Sequence, residues 1–336
     1  MIAHNKPTLG YQEQQAAYKV LDSGHVAQGK EVEGFEKEFC DFMELPEKHA
    51  VALSSGTSAL FMALWSLEAR DKSIGMPVYV CSSLRNAVAM SNAKEVLIDN
   101  AKDSPNICLN ELQKSNSDIA IIPHMFGLPN EIKNIKNIDL IEDCAQSLGA
   151  LIGRKKTGLI GKAGIFSFYA TKLITSGGQG GMFVSEDKNL VDKVRDYREF
   201  DCRRDQKVRF NFQMTDIQAS IGRVQLKKLP RFLERRKEIF EIYKESGLNL
   251  IENKKNTPVY YRAVIRVNSP LKVKDKLEKQ GIKTIVPIED WELLGNGANY
   301  RNSYNLTQTT LSLPIYPSLS NKDVFHIINQ LNKIIK

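Results

Sequence analysis

The chain of 336 residues is 42% hydrophobic and 26% charged, the balance of an ordinary globular protein with room for one large and one smaller domain. No apolar run approaches the length that crosses a bilayer, and MIAHNKPTLGYQEQQ has no apolar core of a secretory leader, so neither membrane nor export is expected. The net charge of +8 suggests anionic small molecules rather than nucleic acid, because no aromatic-interleaved RNA motif or zinc finger accompanies the basic residues.

Five cysteines (Cys40, Cys81, Cys108, Cys144, Cys202) are scattered, odd in number and without a CxxC pair. That pattern argues against a disulfide framework or a zinc site and points to the cytoplasm. Along the chain, residues 57–69 lack Gly and Pro and read as a buried helix. Short apolar runs follow at Val78–Cys81, Glu95–Ile98, Ile119–Pro123, Leu140–Glu142, Ile165–Tyr169 and Met182–Val184. Such runs suit strands buried on both faces, and so an α/β fold with a mostly parallel sheet covered by helices. Near Pro230 the character changes, which divides the chain into a large domain over 1–230 and a small α+β domain over 231–336. In the second stretch a charged helix over 231–247 is closed by Gly247. A strand lies within Tyr260–Val267, a helix over Leu271–Gln280, another strand over Ile282–Val286, and a last helix opens on a Ser320–Asp323 capping box.

Three constellations carry chemistry. Ser54-Ser55-Gly56-Thr57-Ser58 opens the first buried helix, where free N–H groups and the positive dipole end attract phosphate, although the same residues make an ordinary cap. Glu142-Asp143-Cys144-Ala145-Gln146 ends a strand in two carboxylates, placing Asp143 where open α/β sheets bind ligands and Gln146 beside it, unless the turn is simply solvated. Lys172 follows the apolar FSFY run and precedes Ser176-Gly177-Gly178-Gln179-Gly180-Gly181. A lysine held at a strand end can attack a carbonyl, and glycines around it leave room for a flat ring; a plain glycine-rich connection is the competing reading. A phosphate cradle, a carboxylate for a ring nitrogen and an imine-forming amine are together the parts that pyridoxal 5′-phosphate requires.

The sequence resembles the DegT/DnrJ/EryC1/StrS sugar aminotransferase family of the aspartate-aminotransferase-like fold (PLP fold type I). The blocks are GHVAQGKEVEGFEKEF (24–39), SSGTSAL (54–60), PHMFGLP (123–129), EDCAQSLGA (142–150), FSFYATKLITSGGQGGMFV (166–184), RFNFQMTDIQASIGRVQL (209–226) and LSLPIYPSLSNKD (311–323). The resemblance implies that Lys172 is the Schiff-base lysine, that Asp143 pairs with the pyridine nitrogen and that Gln146 bonds the cofactor's phenolic oxygen. It assigns Gly56, Thr57 and Ser167 to the phosphate and Asn211 to the phosphate of a neighbouring subunit, hence a homodimer with shared sites. The implied reaction moves an amino group, from L-glutamate, to a nucleotide-linked keto-deoxysugar whose diphosphate suits arginines such as Arg203, Arg204 and Arg209. Two departures stand out: Gln179 replaces the usual acid of GEGG, and Cys81 takes the place of an aromatic residue over the pyridine ring. Family members with His in place of the lysine are dehydratases, and Lys172 speaks against that branch. A keto-sugar without a nucleotide and a non-catalytic relative are the remaining alternatives. GLIGKAG (158–164) lacks the spacing and the following acid of a dinucleotide-binding loop.

Overall fold

The computed structural model describes residues 1–253 and 255–335. In chain order the elements are α1 (Tyr11–Ser23), α2 (Lys30–Met43), β1 (Ala50–Leu53), α3 (Gly56–Ser66), β2 (Ser73–Pro77), α4 (Ser83–Met90), β3 (Lys94–Ile98), α5 (Leu109–Lys114), β4 (Ile119–Pro123) and β5 (Asp139–Asp143). They continue with β6 (Leu151–Ile152), β7 (Lys155–Lys156), β8 (Ala163–Ser167), β9 (Gly181–Val184), α6 (Lys188–Arg198) and α7 (Asp216–Glu245). Last come β10 (Ala263–Arg266), α8 (Pro270–Lys279), α9 (Arg301–Thr309), β11 (Thr310–Leu313) and α10 (Asn321–Ile335).

Seven strands form one sheet in the order β1-β9-β8-β5-β4-β2-β3. Pairings within β3-β2-β4-β5-β8 are parallel, whereas β9 runs antiparallel to both β8 and β1. The central strands β4, β5 and β8 are almost fully buried: α3 covers one face, while the other face of β8 packs on α2 and α7 and that of β4 and β5 on Ile107, Leu112 and Ile132. Phe35 and Phe39 of α2 pack against Phe166 and Phe168 with ring centroids 5.1–5.9 Å apart. Each such buried ring contributes on the order of 1.5–3 kcal/mol through removal of apolar surface from water. This packing fixes the strand that leads to Lys172.

Two expected elements differ. The run Val78–Cys81 is not a strand: β2 ends at Pro77, and the Val80 N–H turns back to the Val78 carbonyl, so Cys81 sits on the turn before α4. Residues 282–286 form two separate bridges rather than a strand, since Ile282 pairs with Ile2 while Ile285 pairs with Ser312. A single ladder cannot serve two partners.

The helix expected over 231–247 is the second half of α7, which begins at a Thr215–Gln218 capping box and passes through Pro230 unbroken. A proline in a helix interior loses one hydrogen bond and ordinarily kinks or ends it. Here packing prevails. Arg223 in the first half bonds Glu31 and Glu38 of α2, while Ile239, Phe240 and Tyr243 in the second half join β10, β11, α8 and α10 in a separate apolar cluster. Gly247, with φ 82°, lies just beyond the helix end, in the left-handed region that glycine tolerates. At the start of α10 the Ser320 hydroxyl accepts from the Asp323 N–H.

Candidate active site

A cavity of about 260 Å³ opens at the carboxyl ends of β5 and β8 and is lined by Ser55, Gly56, Thr57, Cys81, Asp143, Ser167, Tyr169, Lys172 and Gln179, among others. Six of the eight residues singled out from the sequence therefore share one cavity wall. Gln146 and Asn211 are outside it.

The anion-binding end is the start of α3. Ser55 is its N-cap, accepting from the Ser58 N–H at 3.0 Å. The Ser58 hydroxyl bonds back to the Ser55 N–H and carbonyl, so Ser58 serves the cap and is not free to hold a phosphate. Gly56 and Thr57 face the cavity beside the first N–H groups of the helix. A Cβ on Gly56 would stand 2.7 Å from the Ser167 Cβ and 3.1 Å from its Oγ, so only glycine lets the end of β8 close on the start of α3. The hydroxyl of Ser167 is thereby brought to the same anion cradle.

Asp143 ends β5 and is buried. Its Oδ1 accepts from the Ala145 N–H at 3.0 Å. Burial raises the Asp143 carboxyl above its ordinary range; the Ala145 N–H and the Lys172 charge only partly oppose it. Such a carboxylate gains most from a cationic N–H placed against it, which is what a protonated pyridine offers.

Lys172 lies on a loop folded over the end of β8. The Phe168 N–H donates to the Gly180 carbonyl, the Ala170 N–H to Gly178 and the Ser176 N–H to Phe168. The Lys172 Nζ lies 5.5 Å from the centroid of the Tyr261 ring. Among the glycines that follow, Gly177 (φ 76°) and Gly178 (φ 137°) turn the chain, and a Cβ on Gly181 would stand 2.2 Å from the Ser55 carbonyl. Gly181 thus lets β9 press against the start of α3. Gln179 faces the cavity, with its own carbonyl held by the Gln218 side chain.

The Gln146 Oε1 accepts from the Phe126 N–H at 2.7 Å, holding a residue at φ 63°, while its Nε2 meets only the Met125 sulfur at 3.9 Å. Asn211 is exposed and its Oδ1 accepts from the Gln213 N–H. Of the arginines considered for a diphosphate, Arg209 is almost fully covered and locked between Asp196 and Asp205, and Arg203 also pairs with Asp196. Those charges are already neutralised.

One pair was not legible in the sequence. His124, at the end of β4, and Glu142, the residue before Asp143, lie buried with Nε2 and Oε2 3.0 Å apart. The Asn130 N–H donates to His124 Nδ1, which therefore carries no proton, so Nε2 carries it and donates to Glu142. The second Glu142 oxygen accepts from the Ile160 and Gly161 N–H groups. Cys144 also lies close to this pair, but the donors and acceptors of the pair are already matched, which leaves no vacant lone-pair arrangement for a metal. Its effect is to fix the end of β5, and with it Asp143.

Taken together, a glycine-gated anion cradle, a desolvated carboxylate and an amine with no carboxylate within 4 Å among the described residues suit pyridoxal phosphate, whose phosphate, ring nitrogen and aldehyde they would meet in that order. The chain is 31% identical to the uncharacterized protein MJ1066 of Methanocaldococcus jannaschii (98% of this chain, 96% of that protein). It is 26% identical to a GDP-perosamine synthase of Vibrio cholerae (98% and 91%). The PLP form of Spr1654 from Streptococcus pneumoniae shares the fold with a TM-score of 0.90 at 20% identity, over 99% of this chain and 98% of that one. Residues 7–332 match the family model, and the chain belongs to the DegT/DnrJ/EryC1/StrS aminotransferase family, a family of pyridoxal-phosphate-dependent enzymes.

Proposed function

We propose that this enzyme transfers the amino group of L-glutamate to a nucleotide-linked keto-deoxysugar. The observation that carries the reading is the single cavity in which Lys172, Asp143, Gly56, Thr57 and Ser167 meet. Likeness to a GDP-perosamine synthase supports the nucleotide-linked acceptor.

In this reading Gly56, Thr57 and Ser167 bind the cofactor's phosphate through the α3 N-terminus and two hydroxyls. Asp143, held by the Ala145 N–H, keeps the ring nitrogen protonated, and Gln146 turns its free amide N–H toward the phenolic oxygen. When bound, the cofactor supplies an electron-accepting ring that stabilises a carbanion next to the amino nitrogen. Lys172 would hold the cofactor at rest; once released, its Nζ would remove the proton from the donor's α-carbon and return it at the cofactor's C4′, the carbon on the other side of the amino nitrogen. Cys81 packs its sulfur on the ring face where relatives place an aromatic side chain.

Asn211, exposed in one chain, would complete the phosphate site of a partner chain, which makes the active unit a homodimer. A large domain over 1–230 and a small one over 231–336 would then meet inside α7. No helix among the described residues is long and apolar enough to cross a membrane, and the five free cysteines suit the cytoplasm. The test is spectroscopic. The yellow cofactor-loaded protein should bleach with L-glutamate, and a panel of nucleotide keto-sugars should restore the colour; no bleaching with any amino acid would contradict the reading.

A further inference from the structure

The peptide unit that joins Thr171 to Lys172 is held from both sides. Its N–H, on Lys172, donates to the Tyr169 carbonyl at 2.9 Å, and its carbonyl, on Thr171, accepts from the Asn5 Nδ2 at 2.7 Å. A peptide unit is planar, so two bonds on its opposite edges fix the plane and with it the Lys172 Cα. Among the described residues no other donor reaches the Thr171 carbonyl. Packing is uneven around this unit. The buried Leu173 and Ile174 anchor the chain after Lys172, whereas Tyr169 before it is exposed and Ala170 and Thr171 are only half-buried. On that side the Asn5 bond supplies the hold that packing does not.

Asn5 can act as an anchor because the segment around it is tied at both ends. The Ile2 N–H donates to the Gly281 carbonyl at 2.7 Å, the Ile2 carbonyl accepts from the Lys283 N–H at 2.9 Å, and the Ile2 side chain packs on the apolar cluster of β10, β11, α8 and α10. The His4 Nε2 lies 2.9 Å from the Ser312 hydroxyl of β11. Beyond Asn5, the Thr8 carbonyl accepts from the Nε2 of the buried Gln225 of α7 at 2.9 Å. Ordering a residue of free chain costs about 1–2 kcal/mol, more than one neutral hydrogen bond returns. The flanking contacts already order this segment, so the Asn5 amide meets Thr171 without that cost.

We propose that Asn5 is a positioning residue for Lys172, acting through the Thr171 carbonyl to hold the amine where the cofactor's aldehyde arrives. This rests on the function proposed above, in which the Lys172 Nζ and that aldehyde join in a C=N bond with release of water. A lysine side chain is long and freely rotating, so an amine on an unsteady Cα spends less of its time in reacting position. Pyridoxamine phosphate carries an amine in place of the aldehyde and makes no such bond, so its affinity does not depend on where Lys172 stands.

The test titrates the cofactor-free protein with pyridoxal phosphate and, separately, with pyridoxamine phosphate. In Asn5→Ala, and in Asn5→Leu, which keeps the shape of the amide without its donor, affinity for pyridoxal phosphate should fall about 2- to 10-fold, the value of one neutral hydrogen bond. Affinity for pyridoxamine phosphate should stay at the wild-type value. Asn5→Gln, with the donor on a longer arm, should recover part of the loss. If Asn5→Ala and Asn5→Leu keep the wild-type preference for pyridoxal phosphate, the inference is overturned and the proposed function stands. Equal loss of both cofactor forms also overturns it, since Asn5 would then support the site as a whole and not Lys172. Lys172→Ala separates the two claims: if it retains the wild-type preference, the function proposed above fails and the inference fails with it.

Discussion

The Cβ position of Gly56 lies 2.7 Å from the Ser167 Cβ, closer than two carbon atoms can stand. The first residue of α3 and the last of β8 thus share space that only a hydrogen atom on one side permits. This contact joins the phosphate end of the cavity to the strand that leads to Lys172.

Gly56→Ala should therefore separate the two segments. Overpacking of this kind costs about 1–3 kcal/mol. We expect weaker pyridoxal phosphate binding, by about tenfold or more, with a lower unfolding midpoint in urea. An Ala variant with unchanged cofactor affinity would show that the closure does not shape the cradle.

Asp143 gives a pH signature. Its folded-state pKa is raised by burial, so its favourable contribution is complete below the ordinary carboxylate range and is lost as pH rises through the raised folded value. Asp143→Asn should accordingly stabilise the cofactor-free protein at neutral pH, and the advantage should fade on acidification. The same variant should bind pyridoxal phosphate about 10- to 100-fold more weakly, since one charged hydrogen bond is lost. Thermal unfolding of the cofactor-free pair across pH 4–8 checks the first part, and cofactor titration the second.

The His124–Glu142 pair has the opposite sign. Burial works against the Glu142 charge, but the His124 hydrogen bond and the N–H groups around it win, and its pKa falls. Its stabilisation is present above the ordinary carboxylate range and lost as pH falls through the lowered folded value. His124→Leu leaves the carboxylate without its side-chain donor, at a cost of about 1.5–3 kcal/mol. Urea unfolding at pH 7 should show this loss, and the difference from wild type should shrink in acid.

Cys81 is exposed and on the cavity wall, whereas Cys40 and Cys144 are buried. Alkylation at Cys81 should block cofactor uptake, and bound cofactor should slow the alkylation. Cys81→Ser should take up cofactor after the same treatment. Peptide mapping of the alkylated protein distinguishes Cys81 from the exposed Cys202.

The parts of the site that were legible in the sequence are those whose chemistry is local. Gly56 and Thr57 open a helix, Asp143 ends an apolar strand, and Lys172 follows another, each within a few residues of its own structural cue. What was hidden depends on contacts between distant segments. His124 and Glu142 meet across adjacent strands, and Tyr261 reaches Lys172 from almost ninety positions away. Pro230 misled for the same reason, since the packing of α7 against two clusters overrides the local cost of a proline. The glycines after Lys172 are visible as a local run, whereas the crowding by Ser55 at Gly181 comes from a segment more than a hundred residues away in the chain.

The central claim is that Lys172 is the amine that holds the cofactor. Borohydride reduction of the yellow protein, followed by digestion and mass spectrometry, reads this directly. A pyridoxyl-phosphate adduct on Lys172 is expected, with loss of the trapped label in Lys172→Ala. An adduct confined to another lysine, or a cofactor-saturated protein that traps none, would contradict it.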